Sequence, residues 1–267
     1  MTLRLITWNI RTGGSGGRLD AVVGLLARER PDVVALQELR DFQRHDCRRM
    51  REVADALGMT PVLAPSAWGQ PVGLLMRGPW APVSAATVRW RLHHGSAAAV
   101  VPTAAGPLTM VSTHLNPFRP YRRLREATWL AQRHRAPLTL IAGDLNSLDP
   151  GTVHTERLAR LDPAYRRRHL GPDGEVDTRA IAAFEAAGFR DLWRAVGTGD
   201  GLTVPTSKGG GHEFSNAGMR LDYVLARPEL AARATAARVI RGDEAEWASD
   251  HYPLEVTFDL APARPAS

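Results

Sequence analysis

The chain opens with an alternation of apolar and polar positions that is typical of a β-strand. Leu3 to Ile10 is rich in apolar and β-branched residues, and the glycine-rich segment 13–17 follows as a flexible turn. Apolar residues then recur at helical spacing from Leu19 to Arg30, and Pro31 ends this helix. A buried strand from Asp32 to Glu38 finishes on a carboxylate. The pattern predicts a strand, helix, strand unit with a polar residue at both strand exits.

Further strands and helices are mixed along the rest of the chain. Helical spacing predicts helices at Cys47 to Leu57, Arg122 to Arg135 and Thr178 to Ala187. Extended segments are predicted at Val72 to Met76, Ala97 to Val101, Leu108 to His114, Leu138 to Gly143, Leu221 to Ala226 and Leu254 to Leu260. The spacers between the first three are too short for crossover helices, which favours antiparallel pairing. We expect a single α/β domain over residues 1–260, followed by a disordered tail over residues 261–267.

Composition and charge change this picture only slightly. Apolar residues make up 44% of the 267 residues and charged residues 23%, which is ordinary for a globular protein. The formal charge of +6 favours a negatively charged partner, and nearly all of the positive charge is arginine, since Lys208 is the only lysine. Arginine suits phosphate through its bidentate fork. An arginine- and alanine-rich composition would equally follow from a GC-rich genome, so the charge alone does not decide between these readings.

The expected location of the protein is the cytoplasm. The apolar start of the chain is too short and polar for a signal peptide, and no window approaches the roughly 20 apolar residues that span a bilayer. The lone Cys47 cannot form an internal disulfide. We therefore expect a soluble protein without a membrane span, with a monomer as the default oligomeric state.

Polar residues stand at the strand exits, where structural strands more often end in Gly, Pro or Ser. They are Asn9, Glu38, His114, Asp144 with Asn146, Asp222, and Ser249-Asp250-His251. Each alone is typical of a turn, but together they indicate a polar site assembled from strand ends. By contrast, we interpret His93-His94 as strand or turn residues, and Trp8, Trp129 and Trp193 as core residues.

These residue types suit the hydrolysis of a phosphate ester, which requires a hard cation, a positioned water and positive charge near the phosphate. Glu38 is the first choice of ligand for Mg²⁺, and Asp250 is a second candidate. Asp144 could align or deprotonate the water. Asn146, two residues further on, would face the same side of an extended backbone and hold a phosphate oxygen or the water.

The two histidines are candidates for the positive charge. His251 could stay protonated if a carboxylate partner raises its pKa, and Asp222 is a candidate for that partner. His114 is a second candidate acid or phosphate contact. Several arginines follow His114 closely, and we expect phosphate contact from one or more of Arg119, Arg122, Arg123 and Arg125.

In this order the motifs resemble those of the endonuclease/exonuclease/phosphatase superfamily, which shares the fold of pancreatic deoxyribonuclease. The resemblance rests on Thr7-Trp8-Asn9, Leu36-Gln37-Glu38, Ser112-Thr113-His114-Leu115, Gly143-Asp144-Leu145-Asn146-Ser147, Arg220-Leu221-Asp222-Tyr223-Val224 and Ser249-Asp250-His251-Tyr252-Pro253. It implies a four-layer α/β/β/α sandwich with two packed mixed β-sheets flanked by helices. It also implies hydrolysis of phosphate ester bonds with Mg²⁺ or Mn²⁺.

The resemblance also implies a role for each residue. Asn9 and Glu38 would hold the metal, with Asp250 reaching it directly or through water. His251, paired with Asp222, would contact the scissile phosphate. Asp144 would position or activate the water, with Asn146 beside it. His114 stands where apurinic-site endonucleases of this superfamily carry Tyr, which argues against a dedicated abasic-site repair enzyme.

Three functions remain open at this stage. The leading hypothesis is a metal-dependent phosphodiesterase acting on DNA or RNA, as an endonuclease or exonuclease. The second is a phosphatase or phosphodiesterase for a small phosphorylated metabolite or a lipid headgroup. The third is a binding protein that has kept the fold without catalysis. Substrate choice depends on loops, and the candidate specificity loops are Pro65 to Pro71, Pro117 to Arg123 and Val204 to Met219.

Overall fold

The computed structural model describes residues 2–211 and 217–263. The described strands are β1 (Thr2–Asn9), β2 (Val33–Gln37), β3 (Met59–Ala64), β4 (Val72–Arg77), β5 (Ser84–Val88), β6 (Ser96–Thr103), β7 (Gly106–His114), β8 (Thr139–Asp144), β9 (Arg190–Asp191), β10 (Asp222–Ala226), β11 (Ala234–Val239) and β12 (Leu254–Asp259). The described helices are α1 (Arg11–Gly14), α2 (Leu19–Glu29), α3 (Arg48–Leu57), α4 (Pro120–Arg133), α5 (Thr155–Ala159), α6 (Pro163–Arg166), α7 (Arg179–Ala186), α8 (Leu192–Val196) and α9 (Pro228–Ala231). Short 3-10 turns occur at Gly78–Trp80, Arg167–His169 and Asp243–Glu246.

The strands form two mixed sheets of six strands each. The first sheet has the order β11-β12-β1-β2-β4-β3, and the second has the order β5-β6-β7-β8-β10-β9. Within each sheet one central pair is parallel, β1 with β2 and β7 with β8, while the remaining pairs are antiparallel. Each parallel pair is joined by a segment that carries a helix, as parallel connections require.

The two sheets pack face to face. Their central strands carry apolar residues on both faces, so one face of each sheet packs against the other sheet and the opposite face packs against helices. In β1, Leu3 and Leu5 lie in the core between the sheets, while Ile6 and Trp8 pack against α2 and α3 on the outer face. On the other side of the molecule, Val111 and Ile141 pack against α4 and α7. The result is four layers, helix, sheet, sheet, helix, which confirms the predicted α/β/β/α sandwich.

The predicted central strands and longer helices are all present, with shifts of one or two residues at their ends. The pattern of apolar positions did not predict β3, β5, β9 and β11, which are the four edge strands. Edge strands bury less of their surface, so their apolar alternation is weak; β5 is exposed along most of its length. Pro61 in β3 agrees with the edge position of that strand, since proline is tolerated at a sheet edge.

The first three residues of the segment that was expected to form a tail make backbone hydrogen bonds with the second sheet. The backbone N–H of Ala263 donates to the Pro102 carbonyl, and the N–H of Ala104 donates to the Ala261 carbonyl. Residues 261–263 therefore pair with the turn between β6 and β7, and residues 264–267 lie outside the described part of the chain. None of the helices in the described ranges is long and apolar enough to cross a membrane.

Gly143, next to the last residue of β8, has no room for a side chain. Its φ is +148°, and a Cβ placed there would lie 1.9 Å from the backbone oxygen of Thr113 in β7. We expect Gly143→Ala to lower the free energy of unfolding by about 3 kcal/mol or more, from backbone strain and overpacking. Gly24→Ala on the exposed face of α2 is the matched control, since nothing lies within 4 Å of its Cβ, and it should raise stability by about 1 kcal/mol. Urea unfolding of both variants tests this, and equal effects would contradict it.

Candidate active site

The polar strand ends meet at one edge of the sandwich, and strand direction explains why. The last residues of the parallel strands β1, β2, β7 and β8 lie at this edge. β10 and β12 run antiparallel to β8 and β1, so their first residues lie there too. Asn9, His114, Asp144 and Asp222 continue the alternation of residues that face the other sheet. Their side chains therefore point into the space between the two sheets.

Asp144 is at the centre of this cluster and is buried. Its Oδ2 accepts a hydrogen bond from the Asn9 amide at 3.0 Å, and lies 3.3 Å from His114 Nε2 and 3.8 Å from His251 Nε2. Burial raises the pKa of the Asp144 carboxyl, and the positive charge of the two histidines opposes that rise without cancelling it. The structure thus brings together Asn9 from one sheet with Asp144 and His114 from the other.

Glu38 lies just beyond β2 in the left-handed region, with φ of 59°. Its carboxylate accepts hydrogen bonds from the Asn9 amide at 3.2 Å, the Thr12 backbone N–H at 2.9 Å and the Gln70 amide at 3.2 Å. Burial alone would raise the pKa of Glu38, but nearby His114 and the donors of Thr12 and Asn9 together hold it below its usual value. Glu38 is therefore a fixed carboxylate that stays ionised at neutral pH.

His251 and Asp222 form a buried pair. His251 Nδ1 lies 2.8 Å from Asp222 Oδ2, and the backbone of His251 is fixed by Trp8, whose indole N–H donates to its carbonyl at 2.8 Å. Burial alone would lower the pKa of His251, but the negative charges of Asp222 and Asp144 raise it well above its usual value. The arrangement holds an imidazolium at the edge of the sandwich, with Nε2 facing Asp144.

Asn146 is close to Asp144, but not for the reason that an extended backbone would give. β8 ends at Asp144, and Asn146 has a left-handed φ of 48°. Its backbone N–H donates to Asp144 Oδ1 at 2.9 Å, and its side-chain amide donates to the Leu115 carbonyl at 3.2 Å. Asn146 therefore orients the Asp144 carboxylate directly, and the assumption of an extended strand here was wrong.

Asp250 lies beside Arg11, whose Nε is 3.5 Å from Asp250 Oδ2. Arg11 also donates to the Gly209 carbonyl, and its own backbone N–H donates to Asn9 Oδ1 at 3.0 Å. Burial and the charge of Glu38 raise the pKa of Asp250, against the lowering effect of His251. Glu38 and Asp250 are thus close enough for their charges to repel. Sequence reasoning did not single out Arg11, because one arginine after a strand carries no distinguishing signal.

The arginines after His114 divide into two groups. Arg119 and Arg122 are exposed and border a cleft of about 550 Å³, which is also bordered by Glu38 and His114. Arg123 is fully buried and donates to the backbone carbonyls of Asn116 and Arg168. The expectation that Arg123 contacts phosphate is therefore not supported, since its donors face the fold instead of the cleft. Arg125 is exposed on α4, outside this cleft.

Glu126 ties together two loops beside the site and was not predicted. Its carboxylate accepts the backbone N–H of His93 and that of Asn116, both at 2.8 Å. Burial raises the pKa of Glu126 to about 7, against the effect of these two donors. The ring of His94, in the first loop, lies against that of His114, with ring centroids 4.3 Å apart and an interplanar angle of 32°. His94 is therefore part of the wall of the site, although it was interpreted as an ordinary turn residue.

The donor set fits a divalent cation. Asp144, Asp222 and His251 form a buried group whose ligand atoms lie within 4.8 Å of one another and could hold a metal ion. The oxygens of Glu38, Asp250 and Asn9 are the kind that hard cations prefer, and a cation between Glu38 and Asp250 would relieve their repulsion. While His251 is an imidazolium, neither ring nitrogen has a lone pair for a metal. The oxygen set is therefore the better match for a hard cation.

Known proteins resemble this chain in sequence and in fold. A sequence model described as the Endonuclease/Exonuclease/phosphatase family matches residues 6–251. No curated protein sequence matches the chain significantly. An AP endonuclease from Archaeoglobus fulgidus has a similar structure, with a TM-score of 0.73 and 22% identity over 96% of this chain and 99% of that one.

Two further solved structures are similar to the chain. One is a 3′ phosphatase from Neisseria bound to a product DNA hairpin, with a TM-score of 0.67 and 19% identity over 96% of this chain and 99% of that one. The other is a mannosyl-6-phosphatase from Bacteroides thetaiotaomicron, with a TM-score of 0.68 and 14% identity over 97% of this chain and 99% of that one. At these identities the likeness shows the fold.

The His251–Asp222 pair makes a prediction about protonation. We expect Asp222→Asn, which keeps the shape and removes the charge, to lower the pKa of His251, because the raised value depends first on Asp222. NMR titration of the imidazole in the presence of a chelator measures this. Asp243→Asn, at an exposed carboxylate, is the control and should leave the titration unchanged. A His251 titration that is the same in the Asp222→Asn variant would contradict the pairing.

The raised pKa of Glu126 predicts that the free energy of unfolding depends on pH. The pKa of Glu126 is about 7 in the folded protein, above the usual 4.5. As pH rises from about 4.5 to 7, Glu126 therefore loses its proton in the unfolded chain before it does so in the folded protein, and the free energy of unfolding falls. Glu126→Gln removes that titration. The stability of the variant relative to the parent should therefore increase across this window, by roughly 1 to 3 kcal/mol. Urea unfolding at several pH values measures it, with the exposed Glu52→Gln as the control; a difference that does not change with pH would contradict it.

Proposed function

Because the chain belongs to the Endonuclease/Exonuclease/phosphatase family, we propose that it is a phosphodiesterase that cleaves nucleic acid with the help of Mg²⁺ or Mn²⁺. The observation that carries the proposal is the convergence of a fixed carboxylate, a buried carboxylate of raised pKa and a charged histidine at one sheet edge. These are Glu38, Asp144 and His251. They match the three requirements of phosphate ester hydrolysis: a cation site, a base for the water and positive charge near the phosphate.

Glu38 would hold the metal together with Asn9 and Asp250. When bound there, the cation would neutralise charge on the phosphate oxygens. Glu38 is suited to this because it stays ionised, and its hydrogen bonds from Thr12 and Gln70 fix its orientation. Asp250 adds a second carboxylate whose charge is unfavourable beside Glu38, and a bound cation would offset this repulsion.

Asp144 would accept the proton of the attacking water. Its raised pKa makes it a stronger base than a free carboxylate, and the Asn146 N–H at 2.9 Å fixes its orientation. Attack on phosphorus forms the new P–O bond while the bond to the leaving oxygen breaks, and the water proton passes to the Asp144 carboxylate. His114 Nε2, 3.3 Å from Asp144, is the candidate to protonate the leaving oxygen.

His251 would stabilise negative charge on the phosphate. Its Nε2 is the ring nitrogen that Asp222 does not engage, and the charge of Asp222 favours the protonated form. A fixed cationic donor of this kind stabilises the transition state, because it requires no reorganisation when charge develops. Asp222 thus acts through His251 and is a positioning residue.

Nucleic acid is the favoured substrate because arginines border the cleft. Arg119 and Arg122 are exposed beside Glu38 and His114, where phosphates next to the scissile one would lie. A phosphatase or phosphodiesterase for a small metabolite or lipid headgroup is the second candidate, and a cleft of about 550 Å³ is large enough for such a ligand. A binding protein without catalysis is the third, and the complete set of polar groups argues against it.

The test is hydrolysis by the purified protein with Mg²⁺, Mn²⁺ or Ca²⁺, and again with a chelator. We expect cleavage of DNA or RNA and of the generic diester bis(p-nitrophenyl) phosphate, and no activity with the chelator. Cleavage of the generic diester without cleavage of single- or double-stranded nucleic acid would contradict the proposal that nucleic acid is the substrate. Release of inorganic phosphate from nucleotides or sugar phosphates alone would favour the second candidate, and inactivity with every metal would favour the third.

Two carboxylate variants should separate the metal role from the base role. Glu38→Gln should raise the metal concentration needed for half-maximal activity, because it removes a charged ligand. Asp144→Asn should lower kcat by roughly 100-fold or more with a nearly unchanged metal requirement, because it removes the base. Asp243→Asn, at an exposed site, serves as the matched control.

Circular dichroism and urea unfolding must first show that each variant is folded. A Glu38→Gln variant with the parent's metal dependence, or an Asp144→Asn variant with the parent's kcat, would show that the assigned roles are wrong.

A further inference from the structure

A large cavity lies beside the candidate active site. It has a volume of about 810 Å³ and is walled by the segments 89–93 and 121–132. It shares Trp68, His93 and Arg122 with the cleft that borders Glu38 and His114. The two spaces therefore adjoin each other. The larger one is here named the side groove and is defined by the residues that line it.

Large aromatic side chains are exposed along this groove. Trp90 is 78% exposed, Trp68 64% and Tyr121 47%, and all three line the larger cavity. Indole rings bury a large apolar area when they find a partner, so a cluster exposed in one concave region marks a binding surface. Flat rings that are largely exposed to solvent suit a ligand that is itself made of flat rings.

A row of rings connects the groove to the active site. Trp68 stacks on His93 at 5.4 Å and an interplanar angle of 22°, His93 lies 4.3 Å from His94, and His94 lies 4.3 Å from His114. His114 in turn lies beside Asp144. A ligand stacked on Trp68 would therefore be connected by packed side chains to the point where hydrolysis is proposed.

The charges of the side groove are almost all positive. Its arginines are Arg89, Arg91, Arg122 and Arg125, and its only carboxylate is Glu126, which the backbone N–H groups of His93 and Asn116 already engage. The Arg89 guanidinium lies 4.6 Å from the ring of Trp90, so a cation stands over an aromatic face. Aromatic rings interleaved with arginines fit a polyanion that carries both planar bases and phosphates.

Unpaired bases fit this surface better than a duplex does. In a double helix the base faces are stacked inside, so exposed indole faces could not reach them. In a single strand each base offers a free face to an aromatic side chain, while arginines follow the backbone phosphates. A lipid surface would be attracted by the arginines, but it offers no flat rings for Trp68 and Trp90 to stack on.

We propose that the side groove binds single-stranded nucleic acid next to the scissile phosphate, with bases stacked on Trp68 and Trp90 and phosphates held by Arg122 and its neighbours. This inference rests on the proposed nuclease function and adds the form of the substrate. Segments with unpaired bases, such as a single-stranded end, loop or gap, are then the substrates of the enzyme.

Binding without metal tests the groove separately from catalysis. The probe is a fluorescein-labelled oligothymidylate of about 16 nucleotides, followed by fluorescence anisotropy with the full protein in EDTA. We expect Trp68→Ala and Trp90→Ala each to weaken binding about tenfold. The matched control is Trp247→Ala, at a tryptophan that is 41% exposed beside Glu244 and Glu246 and outside the groove, and it should bind like the parent.

The salt dependence tests the arginines. Arg122→Ala should reduce the slope of log affinity against log salt concentration by about 0.7, the value for one phosphate contact of a single strand. Arg48→Ala, at an exposed arginine of α3, is the control and should leave the slope unchanged. A blunt-ended duplex of two annealed strands and vesicles of phosphatidylglycerol are the competing ligands.

Each outcome bears on the proposal. Weaker oligothymidylate binding in the groove variants alone, with the duplex bound less tightly than the single strand, supports it. It is overturned if Trp68→Ala and Trp90→Ala bind like the parent, if Trp247→Ala loses as much, or if the duplex binds more tightly. Vesicle binding that depends on Trp68, without oligothymidylate binding, would overturn it in favour of a membrane. If the parent binds the single strand but hydrolyses no phosphodiester with any metal, the proposed function fails and the groove stands.

Discussion

A single buried carboxylate, Asp144, joins the two halves of the sandwich at the candidate active site. It belongs to one sheet, accepts a hydrogen bond from Asn9 of the other sheet, and lies close to His114 and His251. An isolated charge in this position would be strongly unfavourable, so the carboxylate requires these polar neighbours, and they require the two sheets to pack together. The same packing that forms the apolar core therefore brings the polar residues together. The site is a consequence of the fold and cannot form from either sheet alone.

This constraint separates the rigid part of the molecule from the adaptable part. Asn9, Asp144 and Asp222 lie at ends of central strands. Apolar residues on both faces set the registers of these strands, so the packing of the core fixes the positions of the three residues. The walls of the cleft are different, because they come from the connections around Trp68, His93 and Arg119. Glu126 links two of these walls to α4 through backbone hydrogen bonds, which gives the loops a defined position on the scaffold. The candidate catalytic groups thus lie at strand ends, and the walls of the cleft come from loops, where specificity is commonly located.

The same distinction explains what could be predicted from the sequence. Central strands such as β1 and β8 are apolar on both faces and end in polar residues, and both features are visible without a structure. The edge strands carry too little apolar alternation to be recognised, as β5 shows. Local backbone geometry was equally invisible: Asn146 reaches Asp144 through a left-handed conformation, not through strand alternation. Arg123 and Arg122 are neighbours in the sequence, yet one is buried and the other borders the cleft, because helical rotation turns them to different sides of α4.

The fold and the strand-end residues do not by themselves explain substrate choice, because similar folds occur in proteins named for DNA and for a sugar phosphate. Whatever distinguishes this chain must therefore lie outside the strand-end residues of the candidate site. The side groove meets that condition, since it begins at the cleft and is formed by segments that the strand registers do not fix. Keeping Trp68 and Trp90 exposed is unfavourable in water unless a partner covers them, and arginines beside them would be repelled by one another without an anion. One ligand with flat rings and regularly spaced negative charges would cover the tryptophans and reduce the repulsion between the arginines. The exposed tryptophans and the arginines beside them are thus the strongest support for the proposed ligand of the side groove.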